Sequence, residues 1–170
     1  GDGWSNPDDV WSVNLGGDAF PDDDTQHFDG DQDGYGDNAE GNQPDACPSV
    51  FGTSTMDLFG CRDSDGDGWS NAADAFNNDA SQWSDQDGDG YGDEISGNLP
   101  DACPTVFGNS TIDRYGCIDS DGDGLDDELD AFPFDASETI DTDGDGVGDN
   151  IDAYPEDSTK SVLETTDDSS

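Results

Sequence analysis

The sequence predicts a mostly irregular chain: an elongated, metal-stapled tandem-repeat rod with little regular helix or strand and small local aromatic clusters. Three observations carry this. Carboxylates recur in fixed register rather than in runs, as in Asp119-Ser-Asp121-Gly-Asp123-Gly124, continued by Asp127 and Asp130. Whole blocks of sequence recur at a spacing of 56 residues. Gly, Asp, Asn and Pro stand every few residues, which favours turns over helix or strand.

The 119–130 stretch shows what the register does. Carboxylates occupy loop positions 1, 3, 5, 9 and 12, and Gly124 occupies position 6. That is the ligand spacing of a calcium loop. Residues 1, 3 and 5 turn their oxygens to one centre, Gly at 6 allows the bend, and the carbonyl of position 7 adds an oxygen. Position 9 often acts through water and position 12 closes the shell. The ligand set is Asp119, Asp121, Asp123, Leu125 (carbonyl), Asp127 and Asp130. Two more loops are uninterrupted: Asp63, Asp65, Asp67, Trp69, Asn71 and Asp74; then Asp141, Asp143, Asp145, Val147, Asp149 and Asp152. Calcium is the expected cofactor, at one ion per loop or more.

Asp29 to Asp85, Cys47 to Cys103, Cys61 to Cys117 and Asp74 to Asp130 are each separated by 56. Residues 29–84 and 85–140 are therefore two copies of one module, each with two loops flanking a cysteine-bounded segment. A partial repeat with an insertion precedes them (1–28). A single loop (141–157) and a Ser, Thr and acid-rich linker (158–170) follow.

The first loop of each module carries Asp29, Asp31, Asp33, Tyr35 and Asp37, or Asp85, Asp87, Asp89, Tyr91 and Asp93. Five inserted residues displace its position 12, so Asp45 and Asp101 are expected to close it. Glu40 competes in the first copy, where the second has Ser96. The chain opens within a loop, with Asp2, Trp4 and Asn6 at positions 5, 7 and 9. Asp9 or Asp18 closes it; Asp18-Ala-Phe-Pro is favoured because it matches Asp74-Ala-Phe, Asp130-Ala-Phe-Pro and Asp152-Ala-Tyr-Pro. The aromatics after the closing acids (Phe20, Phe76, Phe132, Tyr154) are expected to pack locally. A further acid follows five residues after each closing acid (Asp23, Asp79, Asp135, Asp157), either bridging a second ion or capping a turn.

Composition bounds the rest. The chain is 29% apolar with a net charge of −42, a balance normally found in disordered tails. Fixed register and sixteen recurring aromatics argue against a solvated tail. Six divalent ions would bring −42 to −30, and double occupancy to −18, so metal is expected to be a condition of folding. Three basic residues exclude a nucleic-acid surface. No apolar run approaches membrane-spanning length, and no charged-then-apolar signal segment is present. The start at Gly1 without Met reads as a processed product, a fragment, or one unit of something longer.

The pattern Asp-x-Asp-x-Asp-Gly-x-x-Asp, closed by Asp45-Ala-Cys47-Pro48 and Asp101-Ala-Cys103-Pro104, resembles thrombospondin type 3 repeats. Prokaryotic surface proteins carry similar repeats. The resemblance covers nearly all of residues 1–157. It implies calcium wrapped by irregular chain, disulfide staples, and a stalk or linker role in extracellular proteins. Two features depart from it: the insertion before Asp45 and Asp101, and the 13-residue segments between cysteines. Many family members link neighbouring repeats differently. Within the staples so implied, equal spacing in each copy favours Cys47 with Cys61 and Cys103 with Cys117. Free or metal-bound thiols are the alternative, although Cys-x2-Cys zinc spacing is absent. Paired cysteines with structural calcium point to an oxidising, extracellular or cell-surface location.

No enzyme is expected. His27 is the only histidine and has no signposted nucleophile, and Trp83 takes its place in the second copy. Paired carboxylates could mimic a glycosidase, but acids held ionised on calcium cannot donate a proton. Asn109-Ser110-Thr111 is an N-glycosylation sequon, and the Ser/Thr-rich tail could carry O-glycans.

The two ends fit one another. Asp168-Ser169-Ser170 followed by Gly1-Asp2-Gly3-Trp4-Ser5-Asn6 parallels Asp63-Ser-Asp65-Gly-Asp67-Gly-Trp69-Ser-Asn71, with Asp168 at position 1 and Ser170 at position 3. A loop split this way would be completed by a neighbouring copy head to tail, or by flanking repeats of a longer chain.

The function expected is that of a calcium-rigidified stalk, spacer or filament unit of a cell-surface structure. The alternative is a calcium-dependent protein-binding module, dockerin-like or adhesin; a dockerin-like one would need a helix after each loop. An intracellular calcium sensor disagrees with the cysteines and with the missing helical switch surface.

Overall fold

A computed structural model describes residues 17–161. Among them there is no helix, and the only ladder pairing is two isolated parallel bridges, Gly36 with Pro44 and Gly92 with Pro100. The chain divides into two compact units between Ser84 and Asp85. No helix among the described residues is long and apolar enough to cross a membrane.

Backbone order comes from short hydrogen bonds repeated at four of the metal-type loops. The residue before position 1 accepts the N–H of position 9: Asp37 to Phe28 (2.9 Å), Asn71 to Arg62 (2.7 Å), Asp127 to Ile118 (2.8 Å) and Asp149 to Ile140 (2.9 Å). After each closing acid the chain turns back on itself. After Asp18, Asp74 and Asp130 the Ala N–H donates eight residues ahead (Ala19 to His27, Ala75 to Trp83, Ala131 to Thr139), whereas after Asp45 and Asp101 it reaches the cysteine-bounded segment (Ala46 to Phe59, Ala102 to Tyr115). Inside the eight-residue returns lies a tight turn, with Asp23 N bonded to Phe20 O and Asp79 N to Phe76 O. These bonds satisfy backbone groups that a helix or sheet would otherwise pair.

The interior is inverted relative to an ordinary core. Cys61 and Cys117 are the only buried hydrophobic residues among those described, while the buried polar set includes Asp18, Asp45, Asp74, Asp101, Asp130 and Asp152. Apolar burial therefore contributes little, and two covalent staples take part of its place. Cys47–Cys61 and Cys103–Cys117 are both formed, each with Cα atoms 5.1 Å apart. They close equal loops within one copy, as the equal spacing predicts.

The aromatics fall into two groups. Phe20, Phe76 and Phe132 are only half-buried, and Tyr154 is exposed with Lys160 over its ring at 5.3 Å. Among the described residues, ring pairs join position 7 to the cysteine-bounded segment: Tyr35 with Phe59 (centroids 5.6 Å apart) and Tyr91 with Tyr115 (5.5 Å). Trp69 stacks on Trp83 at 6.4 Å. Tyr35, Trp69 and Tyr91 are the position 7 residues of their loops.

Candidate metal centres

In each loop the first acid is spent on shaping the backbone. Asp63 Oδ1 accepts the N–H of Gly66 (2.7 Å) and Oδ2 that of Gly68 (3.0 Å). Asp119 does the same with Gly122 and Gly124 (2.7 and 2.9 Å), and Asp141 with Gly144 and Gly146 (2.7 and 2.9 Å). Positions 4 and 6 both take positive φ, at 85° and 101° for Gly66 and Gly68. Gly at position 6 was legible in the motif; the demand at position 4 was not. Gln32 meets it at φ 69° where the other loops use glycine.

This curl brings the acids at positions 1, 3 and 5 together. Asp29, Asp31 and Asp33 each offer a carboxylate oxygen within 4.8 Å of the others. The same holds for Asp63, Asp65 and Asp67, for Asp85, Asp87 and Asp89, for Asp119, Asp121 and Asp123, and for Asp141, Asp143 and Asp145. The position 5 acid accepts the N–H of position 7 with one oxygen, for example Trp69 to Asp67 at 2.8 Å and Leu125 to Asp123 at 2.9 Å. The carbonyls of Tyr35, Trp69, Tyr91, Leu125 and Val147 accept no hydrogen bond among the described residues.

The closing acid arrives by a bond common to all five loops. Its N–H donates to the carbonyl of position 8: Asp74 to Ser70 (2.9 Å), Asp130 to Asp126 (3.0 Å) and Asp152 to Gly148 (2.9 Å). In the interrupted loops Asp45 bonds Gly36 and Asp101 bonds Gly92, both at 2.8 Å. The insertion is thus looped out, and Asp45 and Asp101 stand where the other closing acids stand. Glu40 and Ser96 are exposed. A Cβ on Gly60 would lie 2.4 Å from Asp45 Oδ1 and 2.9 Å from Asp33 Oδ2, and one on Gly116 2.3 Å from Asp101 Oδ1 and 2.9 Å from Asp89 Oδ2. The closing acid and the position 5 acid therefore converge beside the same glycine.

Each closing acid is fixed by an Asx-type turn. Cys47 N donates to Asp45 Oδ1 (2.7 Å), Phe76 N to Asp74 Oδ1 (2.6 Å) and Tyr154 N to Asp152 Oδ1 (2.7 Å). The other oxygen is left over. Asp45, Asp101 and Asp152 each keep a buried Oδ2 with no hydrogen-bond partner among the described residues. Every position 3 acid (Asp31, Asp65, Asp87, Asp121, Asp143) also has a buried, unpartnered oxygen, as do Asp67 and Asp123 at position 5. Burial, and then the neighbouring carboxylates, hold Asp31, Asp45 and Asp74 above the usual carboxylate range. The same causes, with Asp89, Asp87 and Asp93 as neighbours, push Asp101 up to about 6. Dehydrated anionic oxygens facing one another are costly without a cation or a donor. Hard oxygen donors in this number suit a hard divalent ion.

The remaining residues separate by what they touch. At position 9, Asp127 and Asp149 direct both oxygens to position 2, accepting from Ser120 N and Oγ (2.7 and 2.6 Å) and from Thr142 N and Oγ1 (2.9 and 2.6 Å). Asn71, Asp37 and Asp93 likewise accept the position 2 amide. The acids five residues beyond the closing acids cap turns: Thr25 Oγ1 donates to Asp23, Ser81 Oγ to Asp79, Ser137 Oγ to Asp135 and Thr159 Oγ1 to Asp157. Asp18 is buried, accepts Phe20 N at 2.9 Å and lies 3.7 Å from His27 Nδ1. Asp2, Trp4, Asn6, Asp9, Asp168 and Ser170 lie outside the described residues.

Sequence reasoning missed what fills position 8. Gly36 and Gly148 leave room for the buried side chains of Gln26 and Glu138, which a Cβ would strike. Gln26 bonds both Asn38 and Asn42, holding the inserted residues. Where position 8 is not glycine its partner comes from the cysteine-bounded segment: Asp57 accepts from Ser70, and Arg114 pairs with Asp126 at 3.1 Å. The recurrence of Gln26, Gln82 and Glu138 at 56 residues was the available signal. In comparisons with known proteins, no family model and no curated protein matches the chain.

Proposed function

We propose that this chain is a structural, calcium-binding repeat protein of the extracellular surface, serving as a stalk, spacer or head-to-tail filament unit. The carrying observation is the set of buried, unpartnered carboxylate oxygens converging in five equivalent loops. Calcium at each loop would be held by the acids of positions 1, 3 and 5, the position 7 carbonyl and the closing acid. It supplies charge neutralisation and multidentate cross-linking that the sparse apolar interior cannot. The ion couples distant residues, and the disulfides limit how far the chain between them can extend. Affinity of about 0.1–1 mM per site suits extracellular calcium. The two disulfides fit an oxidising compartment, and likeness of the motifs to thrombospondin type 3 repeats agrees with such a role.

The test is electron microscopy of the native material in calcium and after chelation, with circular dichroism alongside. Fibres or rods that lose their form on chelation support the reading. Particles and spectra indifferent to chelation would overturn it. A dockerin-like module draws no support, since no described loop is followed by a helix.

A further inference from the structure

The cysteine-bounded segment of the second unit carries a surface that the metal loops do not use. We propose that Asn109 bears an N-linked glycan whose first sugar packs on the ring of Phe107. Residues 107–111 are free of turn or bend and alternate in burial: Phe107, Asn109 and Thr111 are exposed, while Gly108 and Ser110 are buried. Phe107, Asn109 and Thr111 are thus the residues of this stretch that solvent reaches, and together they make up its exposed face. The backbone beneath is anchored, because Asn109 N and Ser110 N both donate to Cys117 O (2.9 and 3.1 Å) and Thr111 N donates to Gly124 O (2.8 Å).

Two further observations point to a sugar on this face. Phe107 is 66% exposed, and Val106 and Ile112, which flank the stretch in sequence, are 44% and 55% exposed. A ring left in water gains by covering the C–H face of a sugar. Asn109 turns its carbonyl inward, where Oδ1 accepts the N–H of Asp119 at 3.4 Å, and its Nδ2 makes no hydrogen bond among the described residues. Attachment joins Nδ2 to the anomeric carbon of a lipid-pyrophosphate-linked oligosaccharide. The carbon–oxygen bond to pyrophosphate breaks, the lipid pyrophosphate leaves with the electron pair, and the amide proton passes to solvent. Oδ1 remains a carbonyl, so the bond from Asp119 survives. The first unit repeats the geometry without the acceptor: Phe51, Thr53 and Thr55 are exposed, and Gly52 and Ser54 are buried.

Glycopeptide mass spectrometry on the full chain from its native source tests attachment. A saccharide mass on the Asn109 peptide is expected; an unmodified Asn109 throughout would overturn the proposal. Packing is tested in a host that glycosylates the chain, comparing Phe107→Ala with and without Asn109→Gln. Phe107→Ala should lower Tm by a few degrees more in the glycosylated chain. An equal shift in both backgrounds would remove the packing. Thr53→Asn, which completes a sequon on the same face of the first unit, should gain a glycan; failure there, with Asn109 occupied, would show that this face does not determine attachment.

Discussion

The amide of Gly52 donates to Asp33 Oδ2 at 3.1 Å, so the disulfide-closed segment holds the position 5 acid of the preceding loop. Gly108 and Asp89 repeat the contact at 3.1 Å. At its other end the same segment reaches the next loop, where Thr55 N and Met56 N both donate to Gly68 O (2.8 and 2.9 Å). Covalent closure and metal geometry are thus linked within a module.

Replacing Cys47 and Cys61 together by Ser should destabilise the calcium-loaded first unit by about 3 kcal/mol, the chain-entropy value for a loop of this size. It should also weaken calcium at Asp29, Asp31 and Asp33. Denaturant unfolding at fixed free calcium reads the first effect and calcium titration the second. Unchanged affinity would show that the Gly52 contact does not position the ligand.

Glycines at positive φ should separate into two kinds. Gly34 (φ 98°) has open space where a Cβ would go, so Gly34→Ala should cost only backbone strain, about 1–2 kcal/mol. Gly60→Ala adds a collision with Asp45 and Asp33, and should lower calcium affinity of the 29–45 loop by roughly tenfold or more. Isothermal calorimetry of both variants distinguishes them; equal calcium affinities would refute the steric argument.

Asp45→Asn keeps the Oδ1 acceptor for Cys47 N but removes the charge of the unpartnered oxygen. Its calcium affinity should fall by about tenfold, some 1.4 kcal/mol, whereas Glu40→Gln should leave it unchanged. The reverse ranking would return Glu40 as the closing ligand.

Calcium binding should release protons near pH 6. Asp101 lies above its ordinary value of 3.8, at about 6, because it is buried and faces other carboxylates. A raised folded pKa means that the ion-free fold binds this proton more tightly than the unfolded chain does. The resulting stability is full below about 3.8 and is lost as pH rises through about 6. The ion-free unit should therefore gain stability on mild acidification, and calcium must displace the proton. Titration in two buffers of different ionisation enthalpy measures this directly. No proton release at pH 6, or none lost in Asp101→Asn, contradicts it.

The residues that curl each loop act over two to five positions along the chain, as when Asp63 binds the amides of Gly66 and Gly68. Interactions that short are written in the motif itself, and the carboxylate triads, the copies at 56 residues and the equal cysteine spacing could all be read directly. Other features depend on contacts between residues further apart. The return of Asp45 to Gly36 across an insertion, the Gln26 side chain against Gly36, and the exchange of Asp57 with Ser70 for Arg114 with Asp126 are of this kind. So is the choice of aromatic partners, where Tyr35 meets Phe59 rather than any ring beside a closing acid. A local pattern determines which oxygens a loop presents. Only the folded chain decides which distant side chain reaches the space beside position 8, because that space exists only after both loops have formed.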